Sequence, residues 1–218
     1  MGALRKPQDQ PAGGGAIGDL RFRSLLSMEE WNALPPQVRG RFSKRLANGV
    51  TVVYVGEVVE TRMSRVGRVF AQLARLVGGP LPTSADCGVP AVVTVTEDVA
   101  TGGQIWTRLY ARKNGFPQVI HSAKCFSGRT GLEEYVTARV GMALTVHVEQ
   151  DALVFRSAGY FVRVGERRIA LPAWLAPGAI TVTHAECGEG EFLFVLDVVH
   201  PRFGHIIEQI ATFRDATP

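Results

Sequence analysis

The chain of 218 residues lacks any long hydrophobic run. No window reaches the roughly 18 to 20 apolar residues of a membrane-spanning helix, and the N-terminal stretch lacks the apolar core of a secretory signal. The expectation is a cytoplasmic protein without a membrane span. Cysteine is also scarce: Cys87, Cys125 and Cys187 are odd in number and far apart. That argues against a disulfide framework and against a paired-cysteine zinc site, and predicts reduced, packed thiols.

Catalytic signatures are missing too. There is no phosphate-binding loop, dinucleotide fingerprint, nucleophile elbow or two-histidine zinc helix, and "GVTVVYVGE" holds too few glycines to cradle a phosphate. No cofactor and no metal are expected. An acid–base site assembled from residues distant in sequence is not excluded by such absences. The net charge of +4 is unevenly placed: residues 1–45 hold eight Lys or Arg against four Asp or Glu, and the remainder holds sixteen of each. The basic segment has no interleaved aromatics and no DNA-reading motif, so no nucleic-acid partner is expected.

What is present suits one sizeable core, at 46% hydrophobic and 20% charged. Residues 1–19, rich in Pro, Gly and polar side chains, read as a disordered tail; 20–214 read as a single domain and 215–218 as a short C-terminal tail. Ser27 with Glu30 three residues on predicts a capping box. Pro35 and Pro36 then start a second helix carrying Val38, Phe42 and Leu46, ended by Asn48 and Gly49. "VTVVYVGEVVET" reads as a strand, and "SRVGRVFAQLARLVGG" as a helix with an apolar stripe, closed by Gly78.

From Pro90 onward strands are predicted near 91–98, 103–112, 117–126, 139–148, 152–164, 167–171, 180–187, 191–199 and 205–213, with "LEEY" at 132–135 as one helical turn. The short connections demand antiparallel neighbours. The fold class is therefore α+β: N-terminal helices packed on a long, strongly curved antiparallel β-meander. It forms a barrel or half-barrel, with a lipocalin-like barrel as the alternative. A closed sheet of around eight strands has an interior that is either filled by side chains or open to one small ligand.

Two stretches carry candidate residues. Alternation puts Trp106, Arg108 and Tyr110 on one strand face, and across "KNGFP" either His121 or Ser122 lies on the same side. An inward Arg between aromatics suits a carboxylate or phosphate head group, whereas an outward one would only make a cross-strand pair. The second stretch is "DVVHPRFGHIIEQ", a hairpin closed by Pro201 and Gly204. A three-residue loop sets Asp197 opposite Gln209, and a four-residue loop sets Asp197 opposite Glu208 and His200 opposite His205. One residue of slip moves half the cluster to the other face. His121, His147 and His184 otherwise read as ordinary strand histidines.

In their order, "LPPQVRGRF", "GEVVETRMSRVGRVFAQLARLVGGPLP", "PAVVTV", "WTRLY", "IHSAK", "IALPAWLAP" and "FLFVLDVVHPRFGHIIEQIATF" resemble the bacterial domain of unknown function 4166, over residues 30–214. Trp106, Arg108, Ser122, Pro172, Pro177, His200, Pro201 and Gly204 match the family pattern; its aromatic near the end of the last strand has no counterpart, Glu208 and Gln209 standing there. Some members look like C-terminal extensions of saccharopine dehydrogenase-like proteins, so the resemblance implies a Rossmann-type oxidoreductase as a partner. The combined expectation is a non-catalytic binding module for a small, partly apolar or acidic ligand, using Trp106, Arg108, Tyr110, His121, Ser122, Asp197 and Glu208. The alternatives are an enzyme in which Asp197 or Glu208 works with His121 as acid and base, or an accessory domain docked on the oxidoreductase.

Overall fold

A computed structural model describes residues 18–47, 49–172 and 174–216. The expected N-terminal tail lies outside the described residues up to position 17. Asp19 is already tied into the fold: its N–H donates to the Ser43 carbonyl (2.8 Å) and its carboxylate pairs with Arg21 (2.6 Å).

Helix α1 (Met28–Ala33) opens with the predicted capping box: Ser27 Oγ accepts from the Glu30 N–H (3.1 Å), and the Glu30 carboxylate accepts from the Ser27 N–H (2.9 Å). Two otherwise free helix donors are thereby satisfied. Helix α2 (Pro36–Phe42) begins on its proline but ends four residues before Leu46, short of the predicted run. The carbonyl of Ser43 turns away to receive Asp19, and Leu46 reaches the core from an irregular segment. The spacing of Val38, Phe42 and Leu46 therefore marked burial correctly and helix only in part. Helix α3 (Arg65–Ala74) is capped by Ser64 Oγ, which accepts from the Gly67 N–H (3.0 Å).

The strands are β1 (Val52–Met63), β2 (Val89–Asp98), β3 (Gly103–Tyr110), β4 (Gln118–Cys125), β5 (Leu132–Tyr135), β6 (Val140–Glu149), β7 (Ala152–Val164), β8 (Arg167–Ala170), β9 (Ala179–Gly188), β10 (Glu191–His200) and β11 (Gly204–Asp215). All pair antiparallel, as short connections require. The meander closes where β1 pairs with β11, giving a ten-stranded barrel with β8 as an additional strand. The predicted helical turn at 132–135 is a correction: it is β5, laddered between β4 and β6. With a partner on each side, its backbone groups are satisfied by the sheet and a lone helical turn has nothing to offer.

Strand β7 divides its partners. Leu153–Arg156 pairs with β9, whereas Phe161–Val164 pairs with β8. Over its second half β7 has no β9 partner, and Leu171, Pro172 and residues 174–178, which are not strand, lie beside it. The Leu171 N–H donates to the Tyr160 carbonyl (2.8 Å), and the Tyr160 hydroxyl donates to the Gly178 carbonyl (2.7 Å).

The closing hairpin resolves into neither predicted register throughout. His200 pairs with Gly204 around a Pro201–Arg202–Phe203 turn, while Asp197 pairs with Glu208, because Ile206 is an extra residue between the pairs Val199/His205 and Val198/Ile207. The bulge shifts the register by one residue. Gly204 takes the positive φ of 65° that the turn needs.

Candidate ligand-binding cavity

Ten strands enclose more space than their own side chains fill. One end is plugged by the N-terminal segment. Phe22 and Phe42 meet edge to face at 5.1 Å, Phe42 lies 5.7 Å from Phe155 and 6.5 Å from Trp106, and Leu46 and Phe192 pack alongside. The void left there is about 20 Å³, roughly one water. The other end holds a cavity of about 580 Å³, within the usual range of ligand sites. Its walls are largely apolar, including Met142, Val162, Phe194 and Leu196, and it is roofed by α3 and by Leu171 and residues 174–177.

Between plug and cavity lies a layer of buried charge. Glu134 on β5 is 3.0 Å from Lys124 Nζ through one carboxylate oxygen and 3.4 Å from Arg108 Nη2 through the other. Arg108 Nη1 also donates to Ser122 Oγ (3.2 Å). Lys124 lies 4.9 Å above the Trp106 ring, and Arg108 5.9 Å from the Phe194 ring. Burial by itself would raise the Glu134 pKa, but Lys124 and Arg108 overcome it and hold the carboxyl down to about 2. Burial pushes Lys124 below the ordinary lysine value, with Glu134 opposing.

Lys124 stands on the plugged side of this cluster, against Trp106 and Phe155, while Arg108 and Glu134 face the cavity. Among the described residues, Arg108 and Glu134 are the charged groups that line the cavity. Arg108 carries five N–H donors, so Ser122 and Glu134 leave several for a ligand. The Tyr110 hydroxyl and the Gln209 amide are further polar groups in the wall, the latter donating to Thr61 Oγ1 (3.3 Å). Glu134, ionised down to about pH 2, cannot donate a proton at neutral pH; the arrangement is suited to holding charge in place.

The sequence-predicted residues separate by face. Arg108, Tyr110 and Ser122 line the cavity; Trp106 points inward as well but belongs to the plugged half, its Nε1 donating to Gln104 Oε1 (3.1 Å). His121, Asp197 and Glu208 are corrections: all three lie on the outer face. His121 is paired with Thr107 Oγ1 (3.0 Å), Asp197 with His205 (3.1 Å) and Glu208 with Arg62 (3.4 Å). The two-residue period of a strand explains this, since Ser122, Leu196 and Gln209 are their inward-facing neighbours. The expected acid–base set therefore faces solvent, and His121 stands on the β4 side of the barrel away from the β10–β11 hairpin.

Sequence reasoning missed Lys124 and Glu134. Lys124 had a signal, sitting two residues beyond Ser122; Glu134 was hidden by the helical reading of "LEEY". Its neighbour Glu133 points outward, also buried, and is bound by Arg168 (2.6 Å), Tyr135 (2.9 Å) and Ser127 (3.0 Å). Burial would raise its pKa, yet these hydrogen bonds lower it. That pairing clamps β8 to β5. No group of three or more His, Cys, Asp or Glu among the described residues could hold a metal ion. Of the three free cysteines only Cys125 is buried; Cys187 is exposed, against the expectation of packed thiols.

No curated protein and no solved structure matches the chain. A family model described as "Domain of unknown function (DUF4166)" does match, over residues 34–213, a span that contains β1 to β10, β11 as far as Phe213, and the whole cavity wall. The chain belongs to that family.

Proposed function

We propose that the barrel is a non-catalytic binding module for a small, largely apolar molecule carrying one acidic group. The observation that supports this is the Arg108 guanidinium, with N–H donors left over beyond Ser122 and Glu134, in the floor of an otherwise apolar cavity of about 580 Å³. A buried guanidinium is costly unless acceptors satisfy its remaining donors. A carboxylate or phosphate beside Arg108 would do so, with each charge-assisted hydrogen bond contributing about 1.5–3 kcal/mol. The apolar remainder of the ligand would gain about 25 cal/mol for each Å² removed from water.

The test uses the full chain with a series of fatty acids and their methyl esters, read by thermal shift and native mass spectrometry. Acids should raise the melting temperature more than their esters, and Arg108→Leu should abolish the difference. Absence of any adduct or shift across the series, for folded protein, would overturn the reading.

A further inference from the structure

We infer that the cavity mouth is a docking surface for an anionic lipid bilayer. This inference concerns the outer rim of the cavity, and it stands whatever ligand the interior takes.

The rim is apolar and exposed at once. Leu73 and Val77 from the third helix and its last turn, and Trp174 and Leu175 from the segment beside β9, line the cavity yet are exposed to solvent; Leu76, one position from Val77, is 85% exposed. Scattered apolar residues are normal on a surface, but here they gather around one opening. Inside and outside are continuous, so an apolar molecule leaving the cavity would meet this rim first.

The charge on the helix that roofs the mouth is one-sided. Helix α3 and the turn that follows it, residues 64–78, carry Arg65, Arg68 and Arg75 and no Asp or Glu, although residues 46–218 as a whole carry equal numbers of cations and anions. The segment 171–178 has no charge at all. Arg62 is paired with Glu60 and Glu208, and Arg75 bonds to Gln72, but Arg65 and Arg68 form no ion pair among the described residues. A helix with arginines on one side, exposed Val and Leu on the other, and a neighbouring Trp has the chemistry of an interfacial helix: aromatic and aliphatic groups enter the headgroup boundary while guanidinium groups meet phosphates.

Charge complementarity favours a bilayer over a second copy of this chain. A symmetric contact through this face would set Arg65, Arg68 and Arg75 against their own counterparts, and like charges across an interface oppose association. An anionic surface neutralises them. It is also where an amphiphile able to fill the cavity partitions.

Vesicle flotation of the full chain tests the inference, with phosphatidylcholine vesicles compared with phosphatidylcholine–phosphatidylglycerol vesicles at low and high salt. Trp31 and Trp106 are buried and Trp174 is 73% exposed, so a blue shift of tryptophan emission reports Trp174 entering lipid. Binding is expected on the anionic vesicles, weakened by salt. Leu76→Asp should weaken it roughly tenfold or more, from the lost burial of one leucine, and Arg65→Glu with Arg68→Glu should abolish it. Val99→Asp, an exposed change in the β2–β3 turn at the plugged end, should leave binding unchanged.

Failure of the folded chain to float with anionic vesicles overturns the inference, as does unchanged binding by Leu76→Asp. A solution dimer that Leu76→Asp dissociates would also overturn it, by assigning the face to a second copy. Vesicle binding without any bound acid would leave this inference standing and remove the cavity reading instead.

Discussion

Lys124 Nζ and Glu134 Oε2 meet 3.0 Å apart across adjacent strands, both side chains almost wholly buried. In the interior such a pair must offset the loss of water around both ions, and it does so here only because the geometry is close and because Ser122, Arg108 and two aromatic rings complete the surroundings. The pair marks the boundary between a barrel end that is packed solid and one that is hollow.

Removing the carboxylate should expose that balance. Glu134→Gln leaves Lys124 and Arg108 buried without a counter-charge, and an unfolding free energy lower by about 3–5 kcal/mol is expected from urea denaturation.

Acid should destabilise the protein in two overlapping windows. His184, buried among Phe42, Phe192 and Phe194, has its pKa pushed down to about 3 from 6.5, first by burial and then by Arg41. The unfolded chain takes up that proton below pH 6.5 while the folded one refuses it, so stability falls as pH drops from 6.5 toward 3. Glu134 adds a second loss as pH falls from its ordinary 4.5 toward about 2, because protonation removes the attraction of its two cations. Melting temperature measured against pH should decline from near 6.5, and His184→Phe should move the onset of decline toward 4.5.

The roof should be sensitive to one methyl group. Gly67 lies so close to β11 that a Cβ would collide with the Ile206 carbonyl oxygen, which also accepts from the Ser64 N–H (3.0 Å). Gly67→Ala should lift α3 from the barrel, lower stability by about 1–3 kcal/mol, and accelerate exchange of amide hydrogens across residues 64–77.

The hairpin carboxylates should prove dispensable. Asp197→Asn and Glu208→Gln alter paired groups on the outer wall, and each should change stability by less than about 0.5 kcal/mol and leave the thermal shift produced by fatty acids unaltered. A lost shift in either variant would bring this hairpin back as part of the site.

Much of the barrel was legible one strand at a time. Predicted and observed strands from β2 to β11 agree to within a few residues apart from β5, since alternation and turn chemistry are local properties. The Ser27–Glu30 cap was legible for the same reason. Leu132–Tyr135 was not, because all four of its residues are buried: the barrel covers Leu132 and Glu134, and β8 covers Glu133 and Tyr135, which erases the alternation. The register of the closing hairpin was equally hidden, since either loop length accommodates Pro201 and Gly204 and only the Ile206 bulge combines elements of both.

The strand segments, the antiparallel order and the sharing of one face by Arg108 and Tyr110 are readable in the sequence, because each depends on residues within a few positions of one another. Tertiary structure alone decided that the sheet closes through β1 and β11, that the N-terminal aromatics fill one end and leave the other hollow, and that Glu134 meets Arg108 and Lys124. Closure joins residues 150 or so positions apart, and a buried carboxylate finds its cations only once the curvature of ten strands has brought their inner faces together.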